Sequence, residues 1–283
     1  MNRPVSFLLF SGLLLLFLVF PAAAQKLTLA WQTDTVFRVP ESVLIDPSRK
    51  VCYVSNIDGA AGEKDGKGFI SKISPEGKIL SLQWVTGLDA PKGMGLVGPH
   101  LYVADLFQVV VIDVAAGKIV RRIDVPDSKF LNDITVGKGN AVYVSDSGTG
   151  RIHVIRDNKA TLYFESPLFQ RINGLLAHPA GIYVADVGNG VLYCLKEGKE
   201  LVKISDVATG GNDGIVPVGN QEFIVSCWPG EVYFVDAQGK SHPMLDTREQ
   251  KLNCADVDYD PTRKWLYIPT FFGNRIMTYT FQK

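Results

Sequence analysis

Five polar residues, Glu41, Lys92, Asn132, Asn173 and Asp213, recur at one position of a repeating phrase in this sequence. Each lies 10 to 12 residues ahead of an aromatic, in turn Tyr53, Tyr102, Tyr143, Tyr183 and Phe223. Two carboxylates and two carboxamides are hard oxygen donors, a set that suits calcium and a few other divalent ions. Lys92 adds a cation to them. A sixth copy, ending at Tyr267, offers Ala255 beside Asp256 at the same place. Soft-metal and motif-bound chemistries have no counterpart: His100, His153, His178 and His242 stand alone, and the sequence has no His-Glu-x-x-His, Cys-x-x-Cys, Gly-x-Ser-x-Gly or Walker pattern.

Residues so far apart in the chain act together only if the fold returns them to one place. The phrases VPESVLIDPSRKVCYVSN, APKGMGLVGPHLYVAD, LNDITVGKGNAVYVSD, INGLLAHPAGIYVAD, NDGIVPVGNQEFIVS and CADVDYDPTRKWLYIPT do this, most of them returning about every 40 residues, the length of a four-stranded propeller blade. In the fourth copy INGLLAH, GIYVAD, GVLYCLK and KELVKIS read as successive strands, inner to outer, separated by turn residues. No segment past the N-terminus shows a capped helical period. Six copies predict an all-β, six-bladed β-propeller whose inner strands open with the five polar residues, ringing the wide end of a central tunnel. The last copy runs out one strand short. KLTLAWQT, near the start, is expected to supply that outer strand, complete the last blade and remove an open sheet edge.

Arg3, the apolar run FLLFSGLLLLFLVF and the small residues of PAAAQ read as a secretory signal over residues 1–24, cut after Ala24. The run is short for a membrane span, and no cysteine follows for lipid attachment. Residues 25–283 are then one propeller domain, exported to the periplasm or beyond. Lys and Arg total 29 against 29 Asp and Glu, with no basic run, which argues against nucleic acid or an anionic membrane as partner. Cys52, Cys194, Cys227 and Cys254 are too few for a disulfide scaffold; buried free thiols are expected, with a Cys227–Cys254 pair as the alternative.

Simpler readings exist for several of these residues. Asn173-Gly174 and Asp213-Gly214 are common turn dipeptides, but their fixed place in the repeat favours a shared site over two unrelated turns. The ring is then either an ion site or a polar, water-filled tunnel entrance. Asp105, Asp146 and Asp186 end the second strands of three copies, and that repetition points to caps on the following turns rather than to catalytic acids. Residues 56 to 68, a Gly-rich insertion in the first copy, emerge on the tunnel-mouth side as a lid, a rim or a solvated loop. Trp228, Phe107, Phe271 and Phe272 fall in loops on the same side, with Trp228 favoured as a pocket wall.

A six-bladed ring with Glu41 in blade one, Asn132 in blade three, Asn173-Gly174 in blade four and Asp213-Gly214 in blade five resembles the SMP-30/gluconolactonase (regucalcin-like) family over essentially all of residues 25–283. The resemblance implies that Glu41, Asn173 and Asp213 hold a divalent cation, calcium first, with Mg2+, Mn2+ or Zn2+ as alternatives. It implies that Asn132 contacts substrate or water. The activity it implies is metal-dependent hydrolysis of a small-molecule lactone or related ester, with Asp213 and Asn132 as the catalytic pair and Lys92, Phe130 and Trp228 around the substrate. Two departures stand out. Glu41-Ser42-Val43-Leu44 replaces the family's Gly-Pro-aromatic continuation and is closer to NHL-type propellers, and Phe130 stands where an arginine grips sugar hydroxyls. Both favour the alternative, a non-catalytic NHL-like propeller that docks a peptide, glycan or protein on the same face.

Overall fold

The computed structural model describes residues 25–283, and the expected signal over residues 1–24 lies outside them. Six four-stranded antiparallel sheets follow one another along the chain. Their inner strands are Pro40–Asp46, Pro91–Val97, Leu131–Val136, Ile172–His178, Asn212–Gly219 and Asp258–Asp260, for blades one to six. Each inner strand packs on the inner strands of the two neighbouring blades, so the six close around an axis. The protein is a six-bladed β-propeller.

Alternation explains why the second strands read as almost unbroken apolar runs. A blade is covered on both faces, so both sets of alternate side chains are buried. In Val51–Asn56, Tyr53 enters the apolar cluster shared with blade two, while Cys52 and Val54 enter the one shared with blade six. Five more strands repeat this logic, and each of the six joints between blades carries its own buried cluster. The four cysteines are free and buried, and Cys227 Sγ lies 3.3 Å from Asn212 Oδ1 rather than in a bridge to Cys254.

The ring closes as expected. Lys26–Gln32 pairs antiparallel with Ile276–Gln282, from Lys26 opposite Gln282 to Gln32 opposite Met277, and is the fourth strand of blade six. Trp31 anchors it, edge-on to Trp265 and Tyr267. A second seam joins the same two blades at the axis: Ser42 bridges Asp256 in parallel, Asp256 N–H donates to Glu41 O at 2.9 Å, and Ile45 N–H donates to the Asp258 carboxylate at 2.8 Å.

Asn173-Gly174 and Asp213-Gly214 are inside inner strands, not at turns. Their glycines are required by proximity. A Cβ on Gly174 would sit 2.1 Å from the Asp213 carbonyl oxygen, and one on Gly214 would sit 2.5 Å from Asp256. Gly174→Ala is therefore expected to destabilise the fold by about 1–3 kcal/mol, since backbone must move to admit the methyl. A drop in thermal midpoint of several degrees checks this; a neutral or raised midpoint would contradict the close packing.

Candidate functional site

At the start of five inner strands the antiparallel register slips. In blade three Leu131 faces Asp146 and Ile134 faces Val144, so Asn132 and Asp133 together oppose Ser145. The same slip falls at Glu41, at Lys92-Gly93, at Asn173-Gly174 and at Asp213-Gly214. These are β-bulges, which take a residue out of the ladder and re-aim its side chain. Serines on the second strands accept the N–H groups that the bulges free: Ser42 N–H to Ser55 Oγ, Asp133 N–H to Ser145 Oγ and Gly214 N–H to Ser226 Oγ, each at 2.9 Å.

Asp105, Asp146 and Asp186 are backbone ties, though the expected cap on the following turn is made by Asp146 and Asp186 and not by Asp105. Asp146 and Asp186 accept from Gly148 and Gly188 in the following turns. All three also reach the loop ahead of the inner strand: Asp105 accepts from Ala90 N–H at 2.7 Å, Asp146 from Phe130 at 2.8 Å and Asp186 from Arg171 at 3.0 Å. Each thus fixes the residue two places before a bulge side chain.

The bulges deliver Glu41, Lys92, Asn132, Asn173 and Asp213 to one cavity of about 440 Å³ at the mouth of the tunnel, and Phe130 and Trp228 also line it. All five bulge side chains are buried, from 1% exposed for Lys92 to 7% for Asn132. Ala255, fully buried, takes the sixth place. Val187, Phe271 and Pro229 make an apolar wall with Trp228, whose ring lies 5.5 Å from that of Phe271 and 6.0 Å from that of Phe272. From the insertion of residues 56 to 68 only Ile57 and Ala61 reach the cavity; most of the rest is exposed. Phe107 and Phe272 are exposed and do not line the cavity.

Three buried oxygens here have no hydrogen-bond partner: Glu41 Oε2, Asn173 Oδ1 and Asp213 Oδ1. Orphaned polar atoms of this kind are uncommon in folded interiors and costly to leave unpaired. Burial pushes the Glu41 carboxyl well above the ordinary carboxylate range, and the charges of Asp213 and Asp256 push it further while Lys92 opposes. Burial and Asp256 do the same to Asp213, against the Asn173 amide and Arg171. The Lys92 ammonium, desolvated but drawn by Glu41 and Asp105, is lowered to about 8. It donates to Ala90 O at 2.8 Å and lies 4.5 Å from the centroid of the Phe130 ring.

Two features escaped the sequence reading. Arg171 lines the cavity two residues before Asn173, one blade on from where an arginine was sought. A second tier lies one residue past the bulge side chains, where Ser42, Gly93, Asp133, Gly174, Gly214 and Asp256 follow one another around the ring. Asp133 accepts from Leu175 and Ile134 N–H at 2.6 Å each, and Asp256 accepts from Ser42 Oγ at 2.5 Å. Burial, opposed by those two N–H groups, raises the Asp133 carboxyl to about 7. Four carboxyl groups, Glu41, Asp133, Asp213 and Asp256, thus act on one another, with the Lys92 ammonium opposing at Glu41 and the Arg171 guanidinium at Asp213. Among the described residues no group of three or more His, Cys, Asp or Glu side chains is arranged to hold a metal by itself, so an ion here would also need oxygens of another kind, such as carboxamides, backbone carbonyls or water.

Fold and cavity together define a six-bladed propeller with a polar cup at one end of its axis. Similar structures include a gluconolactonase from Xanthomonas campestris (15% identity, TM-score 0.66, 87% of each chain). A catalytically inactive variant of virginiamycin B lyase from Staphylococcus aureus with quinupristin is similar over 91% of this chain and 99% of that one (13% identity, TM-score 0.64). An auxiliary nutrient binding protein from Bacteroides ovatus is similar over 87% of this chain and 70% of its own (12% identity, TM-score 0.64). Identities this low establish the shared fold. Neither a protein-family model nor a curated protein matches the sequence.

The serine beneath Asp213 offers a test of the scaffold. Ser226 Oγ accepts from Gly214 N–H and donates to Ala255 O at 2.8 Å. Ser226→Ala strands both groups and is expected to cost about 1–3 kcal/mol, measured by urea unfolding.

Proposed function

We propose that the chain is an exported, divalent-metal-dependent hydrolase of lactones or related esters, of the SMP-30/gluconolactonase kind, acting in the axial cavity. The observation that carries this reading is the convergence of three residues with orphaned buried oxygens, Glu41, Asn173 and Asp213, on one cavity. Those residues fit a hard divalent cation, calcium first: one carboxylate each from blades one and five and one amide oxygen from blade four. Such an ion, when bound, offsets the carboxylate charge and polarises a carbonyl oxygen placed against it.

The chain's own groups supply the rest. Asn132 Nδ2 spends one hydrogen on Ser147 Oγ at 3.1 Å and keeps the other for the substrate oxygen. Asp213 takes a proton from the attacking water. The water oxygen then bonds to the carbonyl carbon, the ring C–O bond breaks, and the proton passes from Asp213 to the leaving alkoxide. Trp228, Phe271 and Val187 exclude bulk water from one side, which strengthens each polar contact within. A lyase reading has less support. The similar lyase is inactive when a histidine is replaced by alanine, and no histidine lines this cavity.

Calcium at about 100 times its dissociation constant is expected to stabilise the protein by about 2.7 kcal/mol, read as a rise in thermal midpoint that a chelator reverses and Glu41→Gln abolishes. Asp213→Asn is expected to weaken calcium binding in calorimetry and to lower kcat for a lactone by about 10²–10⁴-fold. Absence of divalent-ion binding, or full turnover in the Asp213 variant, would overturn the reading.

A further inference from the structure

We infer that the preferred substrates are lactones bearing a carboxylate, which Lys92 and Arg171 hold beside the Phe130 ring; this deepens the hydrolase reading and rests on it.

Charge in the cavity is sorted by blade. Glu41 and Asp213 enter from blades one and five, whereas Lys92 and Arg171 enter from blade two and from the approach to blade four. Between the two cations lies Phe130, its ring centroid 4.5 Å from Lys92 Nζ and 6.0 Å from Arg171 Cζ. An aromatic face attracts both and holds them near each other without neutralising either. Arg49, Arg151, Arg248 and Arg263 each pair with a carboxylate. Arg171 does not: its backbone is tied by Asp186, but among the described residues its guanidinium makes no ion pair and no hydrogen bond. An exposed guanidinium at the cavity, next to a buried ammonium with one carbonyl partner, presents N–H groups to a ligand from two directions. A planar carboxylate matches the guanidinium fork.

The remaining wall is apolar, made by Ile57, Val187, Trp228 and Phe271. It has few partners for the hydroxyls of a neutral polyol lactone. A compact ring with one anionic arm fits better: the carbonyl faces Glu41, Asn173 and Asp213, and the arm lies across Phe130.

D-glucaro-1,4-lactone and D-glucono-1,4-lactone share a ring and differ in a carboxylate against a hydroxymethyl group, so they isolate this contribution. With calcium present, kcat/KM for the glucarolactone is expected to exceed that for the gluconolactone by about tenfold or more, mainly through KM. The ratio should fall as salt rises, because the contact is partly exposed. Arg171→Gln, a change at an exposed side chain, is expected to bring the ratio near one, and Arg171→Lys to restore part of it. Equal kcat/KM for the two lactones, or a ratio that Arg171→Gln leaves intact, overturns the anion contact and leaves the hydrolase reading standing. If neither lactone turns over, calorimetry decides: glucarolactone binding that Arg171→Gln abolishes supports the contact while the hydrolase reading fails, and no binding of either rejects both.

Discussion

Everything at the cavity depends on a two-against-one pairing at the head of the inner strands. In a regular ladder the residue at that point would pack into the joint between blades, where the side chains are apolar. The bulge releases it from pairing and aims it at the axis. The backbone N–H left over needs a partner, and Ser55, Ser145 and Ser226 provide one in blades one, three and five. Where the opposing residue is Ala104 or Ala185, the second bulge residue is Gly93 or Gly174, small enough for neighbouring inner strands to approach. Site and scaffold are thus one device, and a polar residue at the bulge needs a serine or a glycine beside it.

The electrostatics follow from this packing. Inner strands that approach closely leave little room for water, so each carboxyl on the axis is desolvated by its neighbours and feels their charge. Two tiers of such groups crowd the axis, and burial together with their mutual repulsion raises each of them above the ordinary carboxylate range. The second tier is internally paired: both Asp133 oxygens accept backbone N–H, and Asp256 accepts a hydroxyl. The first tier keeps three oxygens free. That contrast separates groups that hold the strands together from groups left available to a ligand.

Much of this was legible in the sequence because a propeller writes its geometry as a period. Repeats of about 40 residues fix the number of blades, a missing last strand marks the closure, and offsets of 10 to 12 residues from the strand aromatics single out Glu41, Lys92, Asn132, Asn173 and Asp213. What the period did not disclose are relations between different positions of different blades. Asp133 meets Leu175 N–H across a blade joint, a contact 42 residues apart that no offset within one copy indicates. Arg171 was hidden for the opposite reason. It stands at a repeat position that holds the apolar residues Ala90 and Phe130 in blades two and three, so no recurrence of charge marks it, and only the course of the loop brings it to the cavity. The serines of YVSN, YVSD and FIVSC were visible signals for the bulges, left unread because serine is unremarkable at a strand end.

Closure has a consequence for how the molecule is made. Glu41 belongs to the first blade to leave the ribosome and Asp213 to the fifth, and the seam at Ser42 and Asp256 joins the first blade to the last. A nascent chain therefore carries half of the cup long before the other half exists. Only when the final strand, Ile276–Gln282, emerges and captures Lys26–Gln32 do all the axial groups face one another. The complete set of axial carboxyls is thus assembled only in the closed ring, where five other blade joints share in opposing their mutual repulsion.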